Sequence, residues 1–301
     1  MDSLSESGNQ GRVFVLPLVC SNGILADDLT VEFSPAFDRS PHPDPGLESS
    51  IDQTWEARLA RQPSLFNGSK FRYGGCKILE SQDGHPSRVC LQLGLTDYKH
   101  HVGTALCPRW QEFVVPEAQD DVALCRHIAS NLGNGAIVET SDNRVIVLQR
   151  GTDVGECPGQ PVFPGGHPEP KVVGIAGHDI EPGTSASERN AAISREMFNA
   201  ILLEILEETG IPLDTLSPPV FLGISRRKTS MRPTAFFYVQ CALSSSEIQQ
   251  HYATAMDKNE STKLTACTQE EVDIEAPKMP GCHEGGAELY RLFLRAKGLA
   301  H

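Results

Sequence analysis

Leu203-Glu204-Ile205-Leu206-Glu207-Glu208-Thr209-Gly210-Ile211 closes the strongest helical pattern in the chain, which opens at Ser187. At about 100° per residue, Glu207 sits about 300° and Glu208 about 40° from Glu204, so three carboxylates share one stripe. Phe198, Ile201, Leu202, Ile205 and Leu206 fall between about 60° and 200° and form the stripe to be buried. Gly210 and Pro212 end the helix. Like charges four residues apart repel, so the cluster costs stability unless something offsets it. A hard divalent cation does so, and carboxylate oxygens are the ligands Mg²⁺ prefers. Taken alone, E-x-x-E-E reads first as an ordinary amphipathic helix with a solvated acidic face.

The upstream segment changes that reading. Phe163-Pro164-Gly165-Gly166-His167-Pro168-Glu169-Pro170 offers glycines where backbone must come close to a ligand. A strand, a Gly-Gly loop and an acidic helix together form a phosphate–metal cradle.

Outward from there, Gly135–Glu139 and Arg144–Arg150 are expected to pair as a hairpin across Ser141-Asp142-Asn143. Val220–Arg226 and Thr234–Leu243 read as strands, Ser246–Ala255 as a helix, and Glu284–Lys297 as a closing amphipathic helix. On the N-terminal side Val13–Cys20 and Leu29–Phe33 are β-rich, and Glu48–Gln62 has helical spacing. Phe71–Ser81 and Arg88–Thr96 read as paired strands around Gln82-Asp83-Gly84-His85. Val114–Asp121, with Pro116 and several acids, marks a boundary. The expectation is a smaller α/β N-terminal domain over 1–117 and a second domain over 118–301, α+β in class, with a mixed sheet covered by helices.

The 301 residues carry a formal charge of −13. Nucleic acid and anionic membrane both call for a basic surface, so neither is an expected partner. No apolar run reaches the length of a membrane helix. Nine cysteines, an odd number without a C-x-x-C pair, point to reduced thiols and an intracellular, cytoplasmic or nuclear protein that is not secreted. His100-His101 reads as a solvated pair, and Arg226-Arg227-Lys228 as a hairpin end with solvated charges.

Gly166 followed by the acidic segment resembles the Nudix box, G-x5-E-x7-R-E-U-x-E-E-x-G-U, where U is apolar. The box has Arg where this chain has Leu203. Gly166 and Glu204 are 38 positions apart where the box implies 15, so 23 extra residues separate loop from helix. The box's leading Glu is also out of register, with Glu196 eight rather than nine residues before Glu204. The split box, together with Gln92-Leu93-Gly94-Leu95-Thr96-Asp97-Tyr98, Trp55-Glu56-x-Arg58-Leu59 and Gln62-Pro63-x-Leu65-Phe66, is similar to animal Nudix hydrolases that cleave UDP-glucose and UDP-galactose.

That resemblance implies a Nudix fold and Mg²⁺-dependent hydrolysis of these nucleotide sugars to UMP and hexose 1-phosphate. It implies catalytic Glu204, Glu207 and Glu208, with Glu204 and Glu208 ligating Mg²⁺. It implies substrate contacts at Phe66 and Tyr98, whose flat rings suit uracil, and at Arg150, His167 and Glu169 near phosphates or sugar. The positions of Gly155 and Val162 could make only backbone or shape contacts, and an acidic residue is usual where Val162 stands. Either Glu207 or Glu169 would activate the water. Another diphosphate substrate (ADP-ribose or a coenzyme A ester) and a catalytically degenerate nucleotide-binding module are the alternatives. A monomer is admissible, and the oligomeric state is left open.

Overall fold

The computed structural model describes residues 11–152, 156–179, 183–253, 255 and 261–299. In chain order its elements are β1 (Phe14–Ile24), β2 (Leu29–Phe33), α1 (Pro45–Arg61), β3 (Ser69–Gln82), β4 (His85–Asp97), α2 (Tyr98–His100), α3 (Asp121–Leu124), β5 (Gly133–Glu139), β6 (Val145–Arg150), β7 (Pro161–Val162), α4 (Ala186–Thr209), β8 (Val220–Arg227), β9 (Pro233–Gln240), α5 (Ser245–Tyr252), β10 (Ser261–Cys267), α6 (Gln269–Glu275) and α7 (Gly281–Ala296).

The main sheet runs β1-β8-β9-β5-β6-β10, with β7 added beside β6, and a second sheet runs β2-β4-β3. The main sheet is mixed, because β5 pairs parallel with β9 while its other strand pairs are antiparallel. Residues of α4 (Ile193, Met197, Ile201, Ile205) share one continuous core with both sheets. The opposite face of the main sheet packs on α6 and α7 through Val272, Leu289, Tyr290 and Phe293. The class is therefore α+β, a mixed sheet between helices.

The strand read at Val13–Cys20 extends to Ile24 as β1 and is hydrogen-bonded to β8, from Phe14↔Arg227 to Ile24↔Phe221. It thus precedes residue 117 while its partner follows it. Alternating apolar residues mark a half-buried strand but carry no address for its neighbour. The second sheet is also stitched to the main one. Leu132 N–H donates to Phe71 O at 2.8 Å and Tyr73 N–H to Ser130 O at 3.0 Å.

Two local devices set the position of α4. Ser185 and Glu188 form a capping box at its start. Gly210, at φ 74°, ends it in the left-handed conformation that a Cβ disfavours. A side chain there would also lie 2.6 Å from His251 O.

β5 and β6 do meet antiparallel at their turn, registered at Glu139↔Val145. They then diverge, and the segment from β7 to Gly166 fills the gap. β7 pairs with β6 through Leu148↔Val162. On the other side Ala136 N–H donates to Pro164 O at 2.8 Å, and Asn134 N–H to Gly166 O at 3.0 Å. The Gly-Gly loop is thus held within the sheet as if it were a strand. A Cβ on Gly165 would lie 2.3 Å from Asn134 O, so only glycine permits that approach.

Candidate functional site

The acidic face of α4 lies along this loop. Glu208 Oε2 accepts from Gly165 N–H at 2.8 Å, Glu204 Oε1 from His167 N–H at 3.2 Å, and Glu196 Oε1 from Glu169 N–H at 3.3 Å. Alternate loop amides therefore pair with three carboxylates on one face of the helix. Gly166 sits so close to Glu204 that a Cβ would fall 1.8 Å from its Oε1. Glu207 shares the stripe but takes no part in this set of bonds among the described residues. Leu203, 44% exposed, faces away from the core.

Charge repulsion on the stripe is thus offset in part by backbone dipoles. Glu208 is buried, and Glu196, also buried, has its carboxyl pushed above the usual range by burial, against the lowering effect of the hydrogen bond from Glu169 N–H. Among the described residues, no group of three or more His, Cys, Asp or Glu is placed to hold a metal ion. The donor set nevertheless suits Mg²⁺, which keeps several waters and substrate oxygens and needs only one or two carboxylates. Glu204 and Glu208, one helical turn apart beside Gly165 and Gly166, are the carboxylates that would provide them.

A second layer lies on the other side of His167. Arg232 Nη2 is 3.0 Å from His167 Nε2. A guanidinium can only donate, so Nε2 accepts and the ring is neutral with its proton on Nδ1. Burial first, then Arg232, holds this imidazole well below its ordinary range. Arg232 Nη1 also donates to Glu156 Oε1 at 3.1 Å, and Arg227 Nη2 to Glu156 Oε2 at 3.2 Å. His101 Nε2 lies 3.0 Å from Glu156 Oε1. Burial alone would raise the Glu156 carboxyl, but Arg232, His101 and Arg227 hold it well below the usual carboxylate range. Glu169 bridges Lys70 at 2.8 Å and Lys171 at 2.7 Å.

The residues expected at the site are distributed as follows. Glu204, Glu208, His167 and Glu169 come together at the loop. Arg150 Nε donates to Glu156 O at 3.0 Å, which joins it to the second layer. Tyr98 stacks edge-on against Trp55 and lies 6.3 Å from the His101 ring, leading outward from Glu156. Phe66 is 80% exposed, and its loop docks beside Tyr98 through Tyr98 N–H to Gly68 O at 3.0 Å. Val162 is buried in the core as part of β7. Gly155 lies outside the described residues.

Two expectations need correction. His101 is 1% exposed rather than solvated, while His100 stays near the surface on Asp97. Arg226 and Arg227 are 1% and 9% exposed rather than solvated. Each has an acidic partner: Asp121 for Arg226, and Glu156 for both His101 and Arg227. Glu156, Arg232, Arg227, His101 and Lys70 were not expected at the site. The available signal was a basic island, Arg226 to Arg232, in an acidic chain.

The buried imidazoles have a measurable consequence. His283 Nδ1 accepts from Phe163 N–H at 3.2 Å, and burial, then Arg232, Arg227 and Arg150, keep its ring neutral well below its ordinary range. Burial likewise lowers His101, with Glu156 opposing. The unfolded chain takes up a proton at His283 near pH 6.5 that the folded protein does not, and at His101 the folded protein takes one up only at lower pH than the unfolded chain. Stability is therefore complete above about pH 6.5 and falls below it, by about 1.4 kcal/mol per pH unit per group. A loss of roughly 1 kcal/mol or more between pH 6 and 5, carried mainly by His283, is expected in urea denaturation. A transition midpoint that stays constant over that interval would contradict it.

No family model matches the chain. Over 300 residues it is 48% identical to Nudix hydrolase 9 of Arabidopsis thaliana, covering 98% of this chain and 96% of that protein. Over 255 residues it is 37% identical to a uridine diphosphate glucose pyrophosphatase of Homo sapiens, covering 83% of this chain and 81% of the relative. Over 258 residues it is 36% identical to a protein of the same description from Mus musculus, covering 84% of this chain and 80% of the relative.

Proposed function

The chain belongs to the Nudix hydrolase family, and on that premise we propose that it hydrolyses the diphosphate bond of UDP-glucose and UDP-galactose, releasing UMP and hexose 1-phosphate. The observation that carries this reading is the alignment of Glu208 and Glu204 with the amides of Gly165 and His167. It sets a metal-suited carboxylate pair against a loop that a diphosphate can approach. The similarity to uridine diphosphate glucose pyrophosphatases over more than four-fifths of the chain supports the choice of substrate.

In this proposal Glu204 and Glu208 hold Mg²⁺, which when bound neutralises the diphosphate and makes its phosphorus more open to attack. The protein's part is positioning and electrostatics, since phosphoryl chemistry needs little covalent work from side chains. Gly165 and Gly166 keep the approach clear. Glu169 faces opposing influences: burial raises its carboxyl, while Lys171 and Lys70 hold it below the usual range. Glu207 or Glu169 takes the proton from the attacking water. His167 and Arg150 orient the phosphates or sugar. Phe66 and Tyr98, in residues 1–117, receive the uracil, so that this part of the chain shares in substrate binding. Val162 acts only through the backbone of β7, which leads into the Gly-Gly loop.

The direct test is product identification with Mg²⁺ and a panel of UDP-glucose, UDP-galactose, ADP-ribose and a coenzyme A ester. UMP from the UDP-sugars is expected; turnover confined to the other two would overturn the substrate reading. Thermal shift on adding Mg²⁺ should register a gain in stability, because a ligand of the folded state alone stabilises it.

Phe66→Ala is expected to raise KM for UDP-glucose about tenfold, since a base stacked on an aromatic ring gains about 1–3 kcal/mol. Its melting temperature should not move, because the ring is 80% exposed. An unchanged KM would remove Phe66 from the site.

A further inference from the structure

Arg227, Arg232 and His101 converge on one carboxylate, and among the described residues the charges do not balance. Two guanidiniums face the single charge of Glu156, at side-chain exposures of 10%, 17% and 18%. His101 and His167 beside them have no negative charge to supply. A surplus cation in a desolvated place is costly unless an anion joins it.

The donors are also in surplus. Nε of Arg227, Nε of Arg232 and Nδ2 of Asn134 are buried and reach no acceptor among the described residues. A buried donor left without a partner costs about 1–3 kcal/mol. Asn134 and Arg232 lie beside the Gly-Gly loop, where Gly166 N–H donates to Asn134 Oδ1 at 2.8 Å. Arg232 Nη2 would lie 3.3 Å from a Cβ on Gly133, and Gly166 O would lie 3.5 Å from it. Arg232 therefore lies beside the Gly-Gly loop, whose His167 N–H donates to Glu204.

We propose that Arg227 and Arg232 form a binding site for a phosphate group, and that Glu156 occupies it as an internal stand-in for that group. A carboxylate satisfies two oxygen positions of a guanidinium fork, whereas a phosphate offers more oxygens and a second negative charge. Phosphate thus meets both the surplus charge and the surplus donors that Glu156 leaves. Glu156 keeps the arginines compensated and oriented in its absence. The inference rests on the reading of the chain as a hydrolase of a nucleoside diphosphate derivative, whose phosphates supply the ligand chemistry. It adds a cationic half to the site, facing the acidic half on α4.

The test is binding without turnover. The full chain in EDTA, with no divalent cation, is titrated calorimetrically with inorganic pyrophosphate, UMP and glucose 1-phosphate. Arg232→Gln is expected to weaken binding of pyrophosphate at least tenfold, and Glu156→Gln to tighten it about fivefold. Tightening by UMP but not glucose 1-phosphate assigns the site to the nucleotide phosphate, and the reverse to the sugar phosphate. Unchanged affinity in Arg232→Gln overturns the site, and weaker or unchanged affinity in Glu156→Gln overturns the stand-in role. Should Glu156→Gln fail to fold, Glu156→Asp withdraws the charge by one methylene and should still tighten binding about twofold. Lack of UMP release from UDP-glucose, with these shifts intact, would count against the substrate reading alone. UMP release with unshifted binding would count against this inference alone.

Discussion

Glu208→Gln is expected to lower kcat for UDP-glucose by about three orders of magnitude, the scale on which losing a group that stabilises developing charge acts. The replacement is nearly the same shape. Its amide oxygen can still accept from Gly165 N–H, now bonded to Oε2 at 2.8 Å. The loop therefore stays in place, and melting temperature without metal should be unchanged or slightly raised, since one like charge leaves the stripe. What disappears is the negative charge that a hard cation requires. The Mg²⁺-dependent gain in melting temperature should vanish with the activity. A kcat within tenfold of the parent, with Mg²⁺ stabilisation retained, would remove Glu208 from the metal site.

Arg226→Met is expected to cost about 3–5 kcal/mol of folding free energy, the range for breaking a buried ion pair by removing one member. Arg226 sits at the end of β8 with 1% exposure. Its Nη1 donates to Met231 O at 2.6 Å and Ser130 Oγ at 3.3 Å, and Nη2 to Asp121 Oδ2 at 2.8 Å. Its guanidinium also lies 5.6 Å from the centre of the Tyr73 ring, on β3. One side chain thus joins the main sheet, the second sheet and α3. Methionine fills much of the volume but leaves Asp121, whose Oδ1 is already buried without a partner, with no cation. Relief of repulsion on the nearby Arg72, lowered to about 10 mainly by burial and next by Arg226, offsets only part of this. Urea denaturation at pH 7.5 reads the difference, and a loss below 1 kcal/mol would show the pair to be dispensable.

The contrast between these two residues shows what a sequence reveals. Glu208 was legible because its argument is local: helical periodicity fixes which side chains share a stripe, and Gly210 fixes where the helix stops. The buried members of the opposite stripe, Ile201 and Ile205, followed from the same count. The inserted loop was legible as a glycine-rich approach, but not as a strand substitute between β5 and β6. That depends on hydrogen bonds with residues about 30 positions earlier, such as Asn134 to Gly166.

Arg226 and the Glu156 cluster were illegible for the same reason. Glu156 meets His101, Arg227 and Arg232 across sequence separations of 55, 71 and 76 residues. Composition gives solvation as the default for a charged residue, because unpaired charges are rarely buried. Only the fold shows that each has a partner. The chain's likeness to its relatives supports the proposed substrate class; periodicity carried the helix.

The pairing of β1 with β8 has a consequence for the order in which the protein can assemble. Phe14 to Ile24 emerge early in synthesis, yet their partners are Phe221 to Arg227. At translation speeds of about 5–20 residues per second, roughly 200 residues of delay leave this strand without its native neighbour for about 10–40 s. Such distant pairings also slow folding, since long loops must close before any contact rewards them. The second sheet can form meanwhile, because β3 and β4 are joined by a short turn. The protein's greatest exposure to misassociation is therefore set by the pace of the ribosome, and slowing or speeding translation between β4 and β8 should alter its soluble yield without changing a single native contact.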